Sequence, residues 1–103
     1  MRVPVAIGAY LDLTIELAGE GYSAAKINQH MAVHTSKLLG YSDLPLVSSD
    51  FVGRSESAIF DANQTQIQGG TLKAAVWFDN EWGYSNRVLD LAQYWIETII
   101  KPL

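Results

Sequence analysis

Gly69-Gly70 constrains the fold of this chain more than any other pair of residues. Two consecutive glycines tolerate the positive φ values that a tight hairpin turn requires. They are flanked by Gln64-Thr65-Gln66-Ile67-Gln68 on one side and by Thr71-Leu72-Lys73-Ala74-Ala75-Val76-Trp77-Phe78 on the other. That arrangement predicts a β-hairpin.

The remaining elements follow from periodicity. Residues 3–17 are rich in Val, Ile, Leu and Tyr and predict a long strand, broken or bulged at Gly8. Gly19-Glu20-Gly21 closes it. Ser23 precedes Ala24-Ala25-Lys26-Ile27 in the manner of an N-cap, and Ile27, Met31 and His34/Thr35 continue at helical spacing. The helix is expected from about residue 24 to 36. Leu38-Leu39-Gly40-Tyr41-Ser42 reads as a short strand closed by Asp43-Leu44-Pro45. Residues 46–51 read as irregular with a helical turn, Gly53-Arg54-Ser55-Glu56 as a loop, and Ser57-Ala58-Ile59-Phe60-Asp61 as a strand.

From about Trp82 to Ile100 the pattern is helical. Val88, Leu91, Ala92, Trp95, Ile96 and Ile99 form an apolar stripe, Asn86, Asp90, Gln93, Glu97 and Lys101 a polar one, and Pro102 follows. Leu89, Tyr94 and Ile100 lie off the stripe, which implies neighbours on two sides of this helix. The order β-α-β-β-β-β-α defines an α+β class: a partial antiparallel sheet, one short helix and a long C-terminal helix.

The 103 residues suffice for one small domain, and 49% hydrophobic against 17% charged residues marks it as globular rather than disordered. A net charge of −4 argues against non-specific nucleic-acid binding. There is no cysteine, which removes disulfides, a thiolate nucleophile and Cys-based zinc sites. No stretch approaches the ~20 apolar residues of a membrane helix, and a cytoplasmic location is expected.

One run stands apart. Trp77-Phe78-Asp79-Asn80-Glu81-Trp82-Gly83-Tyr84-Ser85-Asn86-Arg87 interleaves hydrogen-bonding groups with large rings where a strand ends and a helix begins. Ligand contacts often sit at such junctions, held by rigid elements. The run closely resembles the D-N-E-W-G-Y-S-N-R segment of the glyceraldehyde-3-phosphate dehydrogenase family, which includes erythrose-4-phosphate dehydrogenase. Further matches occur in the same order. Arg2-Val3-Pro4 with Asp12-Leu13-Thr14 resembles the family's R-V-P…D-L-T strand. Residues 39–51 resemble its L-G-Y-[ST]-x-x-P-L-V-S-S-D-F segment, and Ser57-Ala58-Ile59-Phe60-Asp61-Ala62 resembles S-[SA]-I-F-D-A.

The resemblance implies that residues 1–103 form a single partial domain: the C-terminal part of the family's catalytic domain with its last helix, the N-terminal Rossmann domain being absent. It implies a parent enzyme that oxidises a phosphorylated aldose with NAD and inorganic phosphate. Arg2 matches the arginine that grips phosphate, a task suited to a permanently charged, bidentate guanidinium. Asn80 matches the asparagine that hydrogen-bonds the nicotinamide carboxamide; an amide carries both donor and acceptor and can read another amide. Tyr84 matches the tyrosine beside the nicotinamide ring. Glu81, Trp82 and Gly83 read as architectural.

This sequence also departs from the family. It has no G-x-G-x-x-G, no Ser-Cys-Thr segment and no catalytic His segment; Phe78 stands where Tyr is common, and the stretch from Ile27 to Tyr41 is about four residues short. No catalytic residue is therefore assigned, and the isolated chain is expected to be inactive and to hold NAD weakly at most. Expected partners are the missing Rossmann portion or other dehydrogenase subunits, with a homo-oligomer as the assembly; no nucleic acid and no membrane is expected. The alternative is a non-catalytic module that self-associates or docks on the intact enzyme.

Plainer roles compete for the same residues. Arg2 reads equally as a terminal surface charge, Asn80 as the N-cap of the last helix, and Trp82 and Tyr84 as packing aromatics. His30 and His34 stand at i and i+4, the spacing of a metal pair, but no third ligand is near in sequence. They read as solvent-facing, and no metal site is assigned. Asp79 and Glu81 read as structural, Glu81 favoured by the helix dipole.

Overall fold

The computed structural model describes residues 1–101; Pro102, the expected helix stop, lies outside them. The elements are β1 (Ala9–Glu16), α1 (Ala24–Val33), β2 (Leu39–Ser42), β3 (Ala58–Asp61), β4 (Gln66–Gln68), β5 (Thr71–Phe78) and α2 (Asn80–Trp95). Short 3-10 turns span Ser48–Phe51 and Ala62–Gln64, and α2 runs on into a π-turn over Ile96–Ile100. The class is α+β.

β5 is the spine of the five-stranded sheet. β1 runs antiparallel along one edge, from Ala9 opposite Phe78 to Glu16 opposite Thr71. The other edge is shared: β4 pairs with the start of β5 across the glycine turn, and β3 pairs with its end, Ile59 opposite Trp77. Gly69 has φ +61°, so the hairpin turn uses the left-handed backbone that glycine supplies freely. β2 lies outside β3 and runs parallel to it, Gly40 opposite Ile59. The sheet is therefore mixed where antiparallel pairing was expected. A parallel pair needs a long crossover, and the chain from Asp43 to Ser57 provides it.

Other boundaries also moved. β1 begins at Ala9, not near residue 3. Gly8 turns the backbone at φ +109° and Pro4 has no amide hydrogen to offer a ladder, so residues 2–8 leave the sheet. α1 is capped as expected, Ser23 Oγ accepting from the Lys26 amide at 3.2 Å. It stops at Val33 because the His34 ring binds the His30 carbonyl at 2.7 Å, taking a carbonyl the next turn would need. α2 begins at Asn80, and its cap is Asp79 rather than Asn80.

Side chains alternate across the sheet. One face buries Phe60, Leu72, Ala74 and Val76 with Leu13, Ile27, Met31 and Tyr41 around them, under α1. Asn28 pins α1 there, donating to the Ala62 carbonyl at 3.0 Å and accepting from Thr65 Oγ1 at 2.6 Å. On the other face, Phe51 stacks on Trp77 at 5.3 Å, Tyr10 meets Trp77 edge-on at 4.6 Å, and Ile59 is wholly buried. The Trp77 indole N–H donates to Asp61 at 2.9 Å, which satisfies that buried carboxylate in part.

α2 is held to the sheet only through its first half. Buried Gly83 sits over the 56–57 backbone, and Arg87 reaches Ser57 Oγ at 3.1 Å. Asp90 lies 3.2 Å from Lys37 Nζ and 2.9 Å from Arg87 Nε. Beyond it, Leu91, Tyr94, Trp95, Ile99 and Ile100 are all more than half exposed. The two-sided apolar character read from the sequence is present, and it is uncovered.

Candidate functional site

A cleft of about 690 Å³ opens between the segment before β1 and the start of α2. Its walls combine Arg2, Val3 and residues 5–8 with Val47 and Ser48, and its floor includes Tyr10 and Trp77. Asn80 and Glu81, the first two residues of α2, complete it. The volume lies within the ~300–1,000 Å³ of small-molecule sites. The Gly8 turn makes the cleft possible, because it folds the N-terminal segment back toward Ser48.

Arg2 and Asn80, from opposite ends of the sequence, thus face one space. Tyr84 does not join them. It stands one turn further along α2, is 71% exposed and is absent from the cleft lining. Asn80 is exposed, and among the described residues no hydrogen bond engages its side chain, so the amide is free to bind. Glu81, read as architectural, also lines the cleft.

The geometry of Asn80 is set by Asp79. The Asp79 carboxylate is buried and accepts from the Trp82 amide at 3.0 Å and from the Gly53 amide at 2.9 Å. One oxygen caps α2; the other ties the helix start to the loop after the 3-10 turn. Sequence alone marked Asp79 only as structural. The signal for its cap was present, since Asp at position i with a helix following is a preferred N-cap, but Asn80 carried the same signal.

The backbone donors of Gly53 and Trp82 hold the Asp79 carboxyl below its ordinary value. Glu56 is likewise lowered, chiefly by its hydrogen bond from Arg54. A depressed carboxyl contributes stability that is present above the unfolded value, near 3.9 for Asp and 4.3 for Glu, and is lost as pH falls through the folded value. Acid unfolding is therefore expected to set in below about pH 4. Asp79→Asn keeps a capping oxygen but removes the titration. It should lower stability at neutral pH and flatten the acid limb in urea unfolding measured across pH; an unchanged limb would show that Asp79 does not drive it.

The His pair forms no metal centre among the described residues. The two rings stack at 4.1 Å on the exposed side of α1, and no group of three or more ligating side chains occurs. No helix of the described residues is long and apolar enough to cross a membrane.

The family model for the glyceraldehyde 3-phosphate dehydrogenase C-terminal domain matches residues 1–80, which includes both Arg2 and Asn80. The chain belongs to the glyceraldehyde-3-phosphate dehydrogenase family. Curated relatives carry the similarity further along the chain. Glyceraldehyde-3-phosphate dehydrogenase 2 of Streptomyces arenae is 45% identical over 96 residues, and the enzyme of Pseudomonas aeruginosa is 46% identical over 94. Glyceraldehyde-3-phosphate dehydrogenase 1 of Streptomyces avermitilis is 40% identical over 100 residues. In each case the match covers 89% of this chain but only 28% of the relative. Within the glyceraldehyde-3-phosphate dehydrogenase family, then, this chain corresponds to a C-terminal portion.

Proposed function

We propose that residues 1–103 form one partial domain and supply a phosphate-gripping, nicotinamide-facing wall of a phosphorylating NAD-dependent aldehyde dehydrogenase. The substrate class is a phosphorylated aldose of the glyceraldehyde-3-phosphate type, within cytoplasmic carbohydrate metabolism. The observation that carries this reading is the meeting of Arg2 and Asn80 at one cleft. Arg2 would hold a phosphate oxygen pair, and Asn80 would exchange hydrogen bonds with the carboxamide and so orient the ring. Tyr84 enters as the ring's neighbour through the resemblance alone. NAD, when bound, supplies the hydride acceptor; the residues present here bind and orient. The thiol nucleophile and its base must come from elsewhere, because this sequence contains no cysteine. The Rossmann portion and further dehydrogenase subunits are the partners this reading requires, in a homo-oligomer.

Two measurements test it. The purified 103-residue chain, given glyceraldehyde-3-phosphate, NAD and phosphate, should form no NADH; measurable turnover would refute the binding-only role. Titration with inorganic phosphate should shift the Arg2 side-chain NMR signal and leave Arg54 and Arg87, both already paired with carboxylates, in place. Equal shifts at all three arginines would mean general charge attraction, not a site.

A second reading has its own observation. The uncovered apolar side chains of α2 would suit a non-catalytic module that self-associates or docks on a dehydrogenase subunit. A light-scattering mass of one chain, with no binding to the intact enzyme, would count against it.

A further inference from the structure

We propose that His30 and His34 form a two-imidazole clamp for a hydrated divalent transition-metal ion, copper(II) before the others. His30 stands in the last turn of α1 and His34 is its C-cap. Both ligands belong to one helix end, so the clamp needs neither the cleft nor any segment outside α1. Spacing at i and i+4 only allows such a pair; the structure adds the state of the rings. His34 Nδ1 lies 2.7 Å from the His30 carbonyl. A carbonyl oxygen only accepts, so Nδ1 carries the proton and Nε2 of the neutral ring keeps its lone pair. A backbone carbonyl on the second ring nitrogen is a usual partner of a metal-bound imidazole, and it fixes tautomer and ring orientation together.

The rings are also close. Their centroids lie 4.1 Å apart with the planes 26° from parallel. Two nitrogens bound at right angles to one ion, each about 2.0–2.1 Å from it, stand about 3 Å apart. A small turn of the His30 ring, which no side-chain hydrogen bond holds among the described residues, closes that difference. Side chains already gathered on one side of a helix lose little freedom on binding. The local field favours a cation as well, because the last carbonyls of a helix carry partial negative charge. The lysines that flank the pair in sequence are engaged elsewhere: Lys26 Nζ donates to the Gly21 carbonyl at 3.0 Å, and Lys37 Nζ lies 3.2 Å from Asp90.

The donor set selects the ion. Both histidines are exposed, and among the described residues no third ligating side chain joins them. Two ligands do not make a closed centre, so water completes the shell. Structural zinc takes four protein ligands and catalytic zinc three. Two imidazoles with water give the nitrogen and oxygen set that suits tetragonal copper(II), which also heads the affinity order of the divalent first-row ions. Magnesium and calcium take oxygen ligands and should not compete. An ion bridging residues 30 and 34 would staple the last turn of α1, the helix that covers one face of the sheet.

The test is titration of the 103-residue chain with copper(II) chloride, followed by amide NMR. Copper(II) is paramagnetic and broadens the signals nearest to it. At less than one equivalent, the amides around His30 and His34 should broaden first, ahead of those of Arg2 and Val3 beside the terminal amine. His30→Gln and His34→Gln should each weaken binding by about tenfold or more, since each turns a linked pair of ligands into a single one. His34→Gln combined with Thr35→His keeps two histidines but moves one off the shared side, and it should not restore affinity. Magnesium chloride at the same concentration should change nothing. Broadening that starts at the terminal amine or at carboxylates overturns the proposal, and so does equal affinity of the native chain and both single variants. His30→Gln leaves the His34 ring on its carbonyl, so it decides even if loss of that contact unfolds the His34 variants. An imidazole nitrogen-15 spectrum gives a separate answer: without metal, neutral His34 should carry its proton on Nδ1, and a proton on Nε2 would overturn the clamp.

Discussion

Ile59→Ala is expected to cost about 2–5 kcal/mol of folding stability. Ile59 has no exposed surface. It lies on β3 opposite Trp77, with Gly40 of β2 beside it. A Cβ built on Gly40 would stand 3.2 Å from Ile59 Cγ1, so the isoleucine already fills the space a neighbouring side chain would take. Truncation leaves a cavity between strands that cannot close without shifting both. A small domain has about 5–15 kcal/mol in all, so the variant should be close to unfolding. Urea denaturation with an unchanged slope should show a lower midpoint. Ile59→Val should lose only about 0.5–1.5 kcal/mol. Similar losses for both variants would mean that side-chain volume is not what the site requires.

Gly83→Leu should cost about 1–3 kcal/mol or more by overpacking, and it should also disturb Asn80. A helix-interior glycine is normally replaceable at a gain, since Ala is favoured by roughly 1 kcal/mol. Here a Cβ would stand 3.3 Å from the Glu56 carbonyl oxygen and 3.9 Å from the Ser57 Cα. Both are backbone atoms and cannot rotate away. Gly83→Ala sets the propensity gain against that tight contact and should be near neutral. Leucine has no room and should lift the helix start from the 56–57 segment. The measurement is thermal unfolding together with the amide shifts of Gly53 and Trp82, which report the Asp79 contacts. Loss of stability with those shifts unchanged would place the damage elsewhere.

Much of this architecture was legible because short-range chemistry determines it. Gly69-Gly70 marked the hairpin, and Ser23 marked the start of α1. The parallel pairing of β2 and β3 was not legible, because strand direction depends on the path of residues 43–57 and no local pattern records it. The late start of β1 turned on the backbone of Gly8, which sequence marks as permissive without showing which way the chain goes. Asn80 was a competing candidate for the cap of α2, because Asp79 and Asn80 have similar capping chemistry; the Trp82 and Gly53 amides on the Asp79 carboxylate separate them. At the cleft, motif matching found Arg2 and Asn80 but missed Glu81, since a carboxylate in a first helical turn reads as dipole compensation until the opposite wall is known.

The longest ladder in the sheet joins the first strand to the last, residues 9–16 to residues 71–78. During synthesis β1 is made well before β5, the strand its ladder needs. Pairings so far apart in sequence must meet the entropy of closing a long loop before any contact offsets it. The β4–β5 hairpin closes locally and forms the ready template, so β1 is the strand that arrives last at its own neighbour. Until then its apolar row lacks the cover that β5 gives it, and that interval leaves those side chains open to contact with other chains.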